Sequence, residues 1–222
     1  FFIGWTLYRT YDPIYTHTEQ PMDFAFLNAS ILATTFPPMD PWLSGSTMSY
    51  YYFGSLINAI VAKITFVPAP VAYNLGLSLV AGLTAITTYG LIRNLALLTR
   101  LSKKATIIAA LSAPLLVLVI GNLEGILELS IRQHWGSESF WQWLNIKNLT
   151  PVSDTGLIPS NHWWWWNASR LLSPALENGY QETISEFPFF SLLLGDLHPH
   201  LMALPYGLLV LAFSLNLISI NR

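Results

Sequence analysis

The chain has 222 residues, a net charge of −2, 53% hydrophobic residues, 10% charged residues, a mean hydropathy of +0.45 and no cysteine. A soluble domain carries about 25% charged residues, so this composition excludes an ordinary soluble fold and predicts membrane helices. The near-neutral balance leaves no basic footprint for a nucleic-acid partner, and the lack of cysteine excludes disulfides, thiolate metal sites and cysteine nucleophiles.

Residues 1–8 (FFIGWTLY) are too few to cross about 30 Å of hydrocarbon at about 1.5 Å per residue. They read as the end of a membrane helix, and the chain is expected to be a fragment of a larger protein, folded as a single membrane domain. Residues 9–50 read as a loop. Residues 51–67 are apolar but are interrupted by Asn58 and Lys63. They form either a spanning helix or one lying in the membrane interface. Uncharged runs at 71–92, 105–121 and 201–220 then predict membrane helices over 70–98, 104–121 and 198–220. Between the last two, residues 122–197 form a long loop containing Trp135, Trp141, Trp143 and Trp163–Trp166. Loops this long without function are uncommon. Their indoles either anchor at the membrane boundary or stack on sugar or lipid.

The charges are segregated. Every Asp and Glu falls between Asp12 and Asp40 or between Glu124 and Asp196, while the turn Thr99–Lys104 is basic, with Arg100, Lys103 and Lys104, and Arg93 just before it. The positive-inside rule puts this turn in the cytoplasm and the loop 122–197 outside. With 51–67 interfacial, the first acidic loop also lies outside. The expected protein is an all-α, polytopic, integral membrane protein, placed in the plasma membrane, with two acidic extracytoplasmic loops.

Three segments carry the most distinctive residues: Thr18–Asn28 (TEQPMDFAFLN), Ser49–Gly54 (SYYYFG), and Glu186–Phe190 (EFPFF) running on to Gly195–His200 (GDLHPH). In these motifs the chain resembles a family of predicted polytopic membrane proteins named for its Tyr-Tyr-Tyr signature, the "YYY" membrane proteins. The resemblance covers nearly the whole chain. Family members usually have Lys where this chain has Gln20; Glu19 and Asp23 are intact. The layout is similar to that of the GT-C superfamily of membrane glycosyltransferases. That resemblance implies a first outer loop carrying the key acidic residue, an interfacial helix after it, and a sugar donor on a polyprenyl-phosphate carrier. The implied activity is transfer of a sugar to an acceptor on the extracytoplasmic face, with membrane lipid and the lipid-linked donor as partners. An enzyme of this type would need more helices than are counted here.

The chemistry assigns candidates. Glycosyl transfer passes through an oxocarbenium-like state, and a carboxylate must take the acceptor's proton. Glu19 and Asp23 are the candidates for base or metal ligand; their bland alternative is a solvated loop or helix cap. Asp196, His198 and His200 could hold a divalent metal such as Mg or Mn. Alternatively, His198 and His200 could face a phosphate at the start of the last helix, or Asp196 could merely cap it. Arg170 is the best phosphate partner in the second loop, its guanidinium offering a bidentate fork; a plain surface arginine is the alternative. Glu186 and Tyr51 are further candidates, although Tyr50–Tyr52 also suit simple anchoring. Two rival functions stand beside the enzyme: a transporter or flippase of a lipid-linked or anionic solute, and a non-catalytic membrane scaffold. An enzyme needs Glu19 and Asp23 to meet His198 and His200 at one pocket; a scaffold does not.

Overall fold

In the computed structural model, residues 1–146, 149, 164–170, 175–176, 179–180 and 183–220 are described. Trp163, Asp154, Glu177 and Glu182 lie outside them. The helices are α1 (Phe2–Tyr11), α2 (Gln20–Leu32), α3 (Phe53–Thr65), α4 (Ala69–Leu98), α5 (Lys103–Leu115), α6 (Glu124–Arg132), α7 (Glu138–Leu144), α8 (Trp164–Ala168), α9 (Pro188–Leu194) and α10 (Pro199–Ile220). A two-residue antiparallel pair, β1 (Ala175–Leu176) with β2 (Gly179–Tyr180), accompanies them. The protein is an all-α membrane protein: Ala69–Leu98, Lys103–Ile120 and Pro199–Ser219 are each long and apolar enough to cross a bilayer.

The chain divides into two compact units, Phe1–Val119 with Ser191–Arg222, and Ile120–Phe190. The first is built around α4, against which α1, α2, α3, α5 and α10 all pack. Its core holds Leu27, Tyr73, Leu77, Val80, Leu118, Leu197 and Leu201. α4 has 30 residues, a length of about 45 Å. A turn with Arg100 at φ 58° joins it to α5. The Ser102 hydroxyl caps α5 by accepting from the Ala105 N–H at 3.3 Å. Beyond Pro114 the helix widens into a π-turn over Leu116–Ile120, a usual response to a proline inside a helix.

Two stretches differ from plain loops. Residues 9–50 contain α2, which starts with Pro21 in its first turn and buries Gln20, Asp23, Phe26, Leu27 and Ser30. Asp23 therefore stands on a helix. Its weak amphipathic periodicity, TEQPMDFAFLNAS, conceals this in the sequence. Residues 122–197 contain α6 to α9 and the short strand pair. α3 has 13 residues, about 20 Å, which is short of the hydrocarbon thickness. It buries the small and polar residues Ser55, Asn58, Ala59 and Ala62 and exposes Phe53, Ile60, Val61 and Ile64. Asn58, an interruption when read as sequence, is a packing residue. Its amide donates to the Gly54 carbonyl and the Met202 sulfur, each at 3.2 Å, and its oxygen lies where a side chain at Gly76 would sit.

Candidate functional site

The site of the first unit is assembled from the start of α2, the tyrosine run before α3, and the link between α9 and α10. At α2, the backbone turns through Thr18 at φ 45°. The Glu19 carbonyl accepts from the Met22 and Asp23 N–H groups at 2.9 and 3.1 Å. Gln20 is fully buried; its amide donates to the Leu194 carbonyl, and its oxygen accepts from the His17 N–H at 3.2 Å. That side chain ties the base of α2 to the end of α9.

The α9–α10 link is held as tightly. The Gly195 and Asp196 N–H groups donate to the Ser191 carbonyl at 3.0 and 2.9 Å. Gly195 has φ +79°, and any side chain on it would collide with the Arg9 guanidinium. Arg9, itself buried, donates to Asn74 Oδ1 at 2.8 Å and to the Ile14 carbonyl at 3.0 Å. The next residue's N–H, at Leu197, donates to the buried Tyr73 hydroxyl at 3.2 Å. Tyr73 packs edge-on against Phe24, which stacks on Tyr15 with centroids 4.1 Å apart. Pro199 then opens α10, where its missing N–H costs nothing.

This scaffold brings Glu19 and the two histidines together. His198 Nε2 lies 3.0 Å from Glu19 Oε2 and 3.5 Å from the Tyr50 hydroxyl. The Nδ1 atoms of His198 and His200 are in hydrogen-bonding contact, and His200 Nε2 lies 3.2 Å from Ser191 Oγ. The result is a continuous chain of polar contacts: Glu19, His198, His200, Ser191. Asp23 and Asp196 are both buried, at 4% and 2% exposure, whereas the Glu19 side chain is 54% exposed. Burial, followed by the carboxylates Asp23 and Glu19, the neighbouring Tyr51 and finally Asp196, raises the Tyr50 pKa above its ordinary value. Its hydroxyl therefore keeps its proton and acts as a donor.

A cavity of about 780 Å³ opens beside this chain. Tyr50, Tyr51 and Tyr52 line it with Phe53, Gly54 and Ile57 from α3, His198 and His200, and Met202 and Tyr206 from α10. Tyr50 stacks on Phe26 at 5.2 Å and meets Tyr51 edge-on at 5.2 Å. Gly54 lets the two helices approach, because a side chain there would press into Met202. The cavity wall is largely apolar and its imidazoles lie at the start of a helix long enough to span a bilayer.

The residues that could hold a divalent metal here are His198 and His200. All four of their ring nitrogens already have partners within the unit, so a metal would have to exchange those contacts. Asp196 points its backbone, through its N–H, into the α9 turn, and its side chain is buried.

Arg170 and Glu186 belong to the second unit. The Arg170 guanidinium lies 3.7 Å over the Trp166 ring, a cation–π arrangement, and Nη1 donates to Ser169 Oγ at 2.5 Å. Sequence reading missed a further pair in this unit, Glu124 and Glu128, both buried. The Asn122 side chain accepts from the Glu124 N–H at 2.8 Å and donates to the Ala168 carbonyl at 3.0 Å. Trp164 packs against Gly125. Burial, the charge of Glu128 and a hydrogen bond to Glu128 together raise the Glu124 pKa to about 8. The signal was available: two acidic residues four apart on one helix face normally repel, so their placement at the start of an apolar stretch calls for a shared proton. Tyr50 and Ser191 were also missed as partners of the histidines. Neither spacing nor composition links residues this far apart in the chain.

No curated protein and no solved structure matches this chain. The model of a family described as "Uncharacterized membrane protein (DUF2298)" matches residues 1–222, and the chain belongs to that family.

Proposed function

We propose that this chain is a membrane glycosyltransferase, similar in layout to the GT-C superfamily, that moves a sugar from a polyprenyl-phosphate donor to an acceptor hydroxyl on the extracytoplasmic face. The observation that carries this reading is the exposed Glu19 carboxylate 3.0 Å from His198, which itself lines a tyrosine-rich cavity of about 780 Å³. Such a cavity suits an amphiphile: an apolar wall for the lipid chain, with imidazoles and a phenol for the polar head.

In this reading the acceptor oxygen bonds to the sugar's anomeric carbon as the bond from that carbon to the phosphate oxygen breaks. Glu19 takes the acceptor's proton, since it is the carboxylate that a substrate can reach. The electron pair of the broken bond stays on the polyprenyl phosphate. His198 and His200, at the start of α10, donate to that phosphate. Asp23 and Asp196 are positioning residues: their buried charge favours a proton on the neighbouring Tyr50 and holds the donor character of the rim. A divalent metal, Mg or Mn, would supply further charge to the departing phosphate if His198 and His200 exchanged their present contacts; no step above depends on it.

The course of α4 supports the expected sidedness. Tyr73, near its start, reaches the site through Leu197, while Arg93 lies near the other end and Arg100 just beyond it, about 30 and 40 Å further along the helix direction. The positive-inside rule places that basic end in the cytoplasm and the site outside. A transporter would need ionisable groups along its spans; among the described residues of α4, α5 and α10, Arg93, Lys103, Lys104 and His200 sit near helix ends.

The test is transfer by the purified chain in nanodiscs, supplied with a panel of radiolabelled polyprenyl-phosphate sugars and a panel of hydroxyl acceptors, from simple alcohols to glycosides and hydroxyl-bearing peptides. Release of polyprenyl phosphate that Glu19→Gln abolishes supports the reading. A folded protein that releases none, or a Glu19→Gln variant as active as the parent, sinks it.

A further inference from the structure

The second unit holds a cavity of its own. About 740 Å³ of space lies between the end of α6 and α7, lined by Ile131, His134, Glu138, Trp141, Gln142 and Asn145, with Gly136, Ile146 and Leu149 completing the wall. Its frame is stiff for so short a segment. His134 and Gly136 have positive φ, 55° and 87°, and Asn145 closes α7 in the left-handed region at φ 46°. Ser137 caps α7 through the Phe140 N–H at 3.2 Å. The Trp141 indole is fixed from two sides: its N–H donates to the Trp135 carbonyl at 3.0 Å, and the Gly136 backbone lies so close that a side chain there would press on the indole.

The lining restricts the ligand. Among the described residues it contains one carboxylate, two primary amides and one imidazole beside an indole and three aliphatic residues, and neither Lys nor Arg. Without Lys or Arg a phosphate or other strong anion finds no counter-charge. One carboxylate and one imidazole are too few ligands for a structural metal. A purely apolar ligand would strip water from Glu138, Gln142 and Asn145 without returning hydrogen bonds. What remains is a neutral polyhydroxyl ligand. Carboxylate and amide oxygens accept from hydroxyls, amide N–H groups donate to them, and the indole offers a flat apolar surface to C–H groups. Gln142 and Glu138 already contact each other at 3.4 Å, so acceptor and donor stand side by side, as vicinal hydroxyls require.

We infer that the groove between α6 and α7 is a binding site for a neutral saccharide, with Trp141 as the stacking surface and Glu138, Gln142, Asn145 and His134 reading its hydroxyls. This site does not depend on the activity proposed for the first unit, and it holds whether or not that unit transfers a sugar.

The experiment uses the full chain in nanodiscs, with a panel of neutral methyl glycosides and disaccharides as probes. Saturation-transfer NMR and intrinsic tryptophan fluorescence report binding. The expected result is millimolar binding of at least one saccharide, weakened at least tenfold by Gln142→Ala with Asn145→Ala. Both residues are exposed, so these substitutions test the site without removing core packing; Glu138→Gln provides a second, nearly isosteric variant. Three outcomes overturn the inference: no saccharide in the panel binds, binding is unchanged in both variants, or the only response of Trp141 is protection from aqueous quencher by the lipid. The last would make this segment a membrane anchor instead. Because the readout is binding, it stays distinct from the transfer assay.

Discussion

Two glutamates, one in each unit, have opposite surroundings. Glu19 is largely exposed and has as its neighbour His198, an imidazole that lines a cavity. Glu124 is buried, with another carboxylate as its neighbour. The first arrangement leaves a carboxylate reachable. The second keeps it protonated at neutral pH and closed to substrate. Chemical identity is the same in both, so it is the neighbour and the access to water that separate a group suited to chemistry from one suited to holding a fold together.

The sharpest way to break this contrast is to remove each charge in turn. Glu19→Gln should lower sugar transfer by about 10²–10⁴-fold, the usual contribution of a general base, and leave the thermal midpoint unchanged. Glu124→Gln should leave transfer unchanged and move the thermal midpoint. Rate and melting curve measured on both variants decide the matter; a Glu19→Gln protein that melts early but still turns over would reverse the roles.

A smaller effect is expected from His198→Gln. It removes the partner that lies 3.0 Å from Glu19 while keeping a hydrogen-bonding side chain. A drop of about tenfold to a hundredfold in kcat, with KM little changed, is the mark of an interaction used in the transition state. A change in KM alone would make His198 a simple binding residue. Tyr51→Ala should do the converse. Tyr51 is 74% exposed yet lines the cavity, so its ring adds equally to ground-state and transition-state binding. KM for the lipid-linked donor should rise by about tenfold, the equivalent of about 1.4 kcal/mol, at constant kcat. Unchanged KM would return Tyr51 to plain interfacial anchoring.

How far the sequence foretold these surroundings varies with the kind of interaction. The spanning helices were legible, because apolar runs such as 71–92 and 201–220 are long, uncharged and set by hydrocarbon thickness alone. α2 was not. It carries Pro21 and Asp23 in its first turn and mixes polar with apolar residues on its buried face, so its periodicity does not mark it. The meeting of Glu19 with His198 could be posed as a question from the motifs, but 179 residues separate them. Their contact depends on Gln20 reaching Leu194 and on Tyr73 holding Leu197, neither of which local pattern reveals. The cavity in the second unit was still less visible. Its tryptophans read equally well as anchors, and only the left-handed residues His134, Gly136 and Asn145 bend the segment into a groove.

The smallest effect is the most direct probe of the buried pair. A carboxyl whose pKa is about 8 in the folded protein and 4.5 otherwise holds a proton when folded that the unfolded chain releases. Between about pH 4.5 and 8 the folded state therefore binds more protons, and stability declines as the pH rises through that window, levelling off above it. Glu124→Gln cannot titrate. Its amide can still donate to Glu128, which keeps the hydrogen bond while removing the pH cost. The variant's thermal midpoint should match the parent's near pH 4.5 and exceed it by a margin that grows as the pH rises to 8, reaching several degrees, since a shift from 4.5 to about 8 corresponds to a few kcal/mol. Tryptophan fluorescence of the full chain in detergent, melted at several pH values, reads this directly. Parallel curves for the two proteins would mean that Glu124 ionises normally and that its burial is matched by a stronger partner than Glu128.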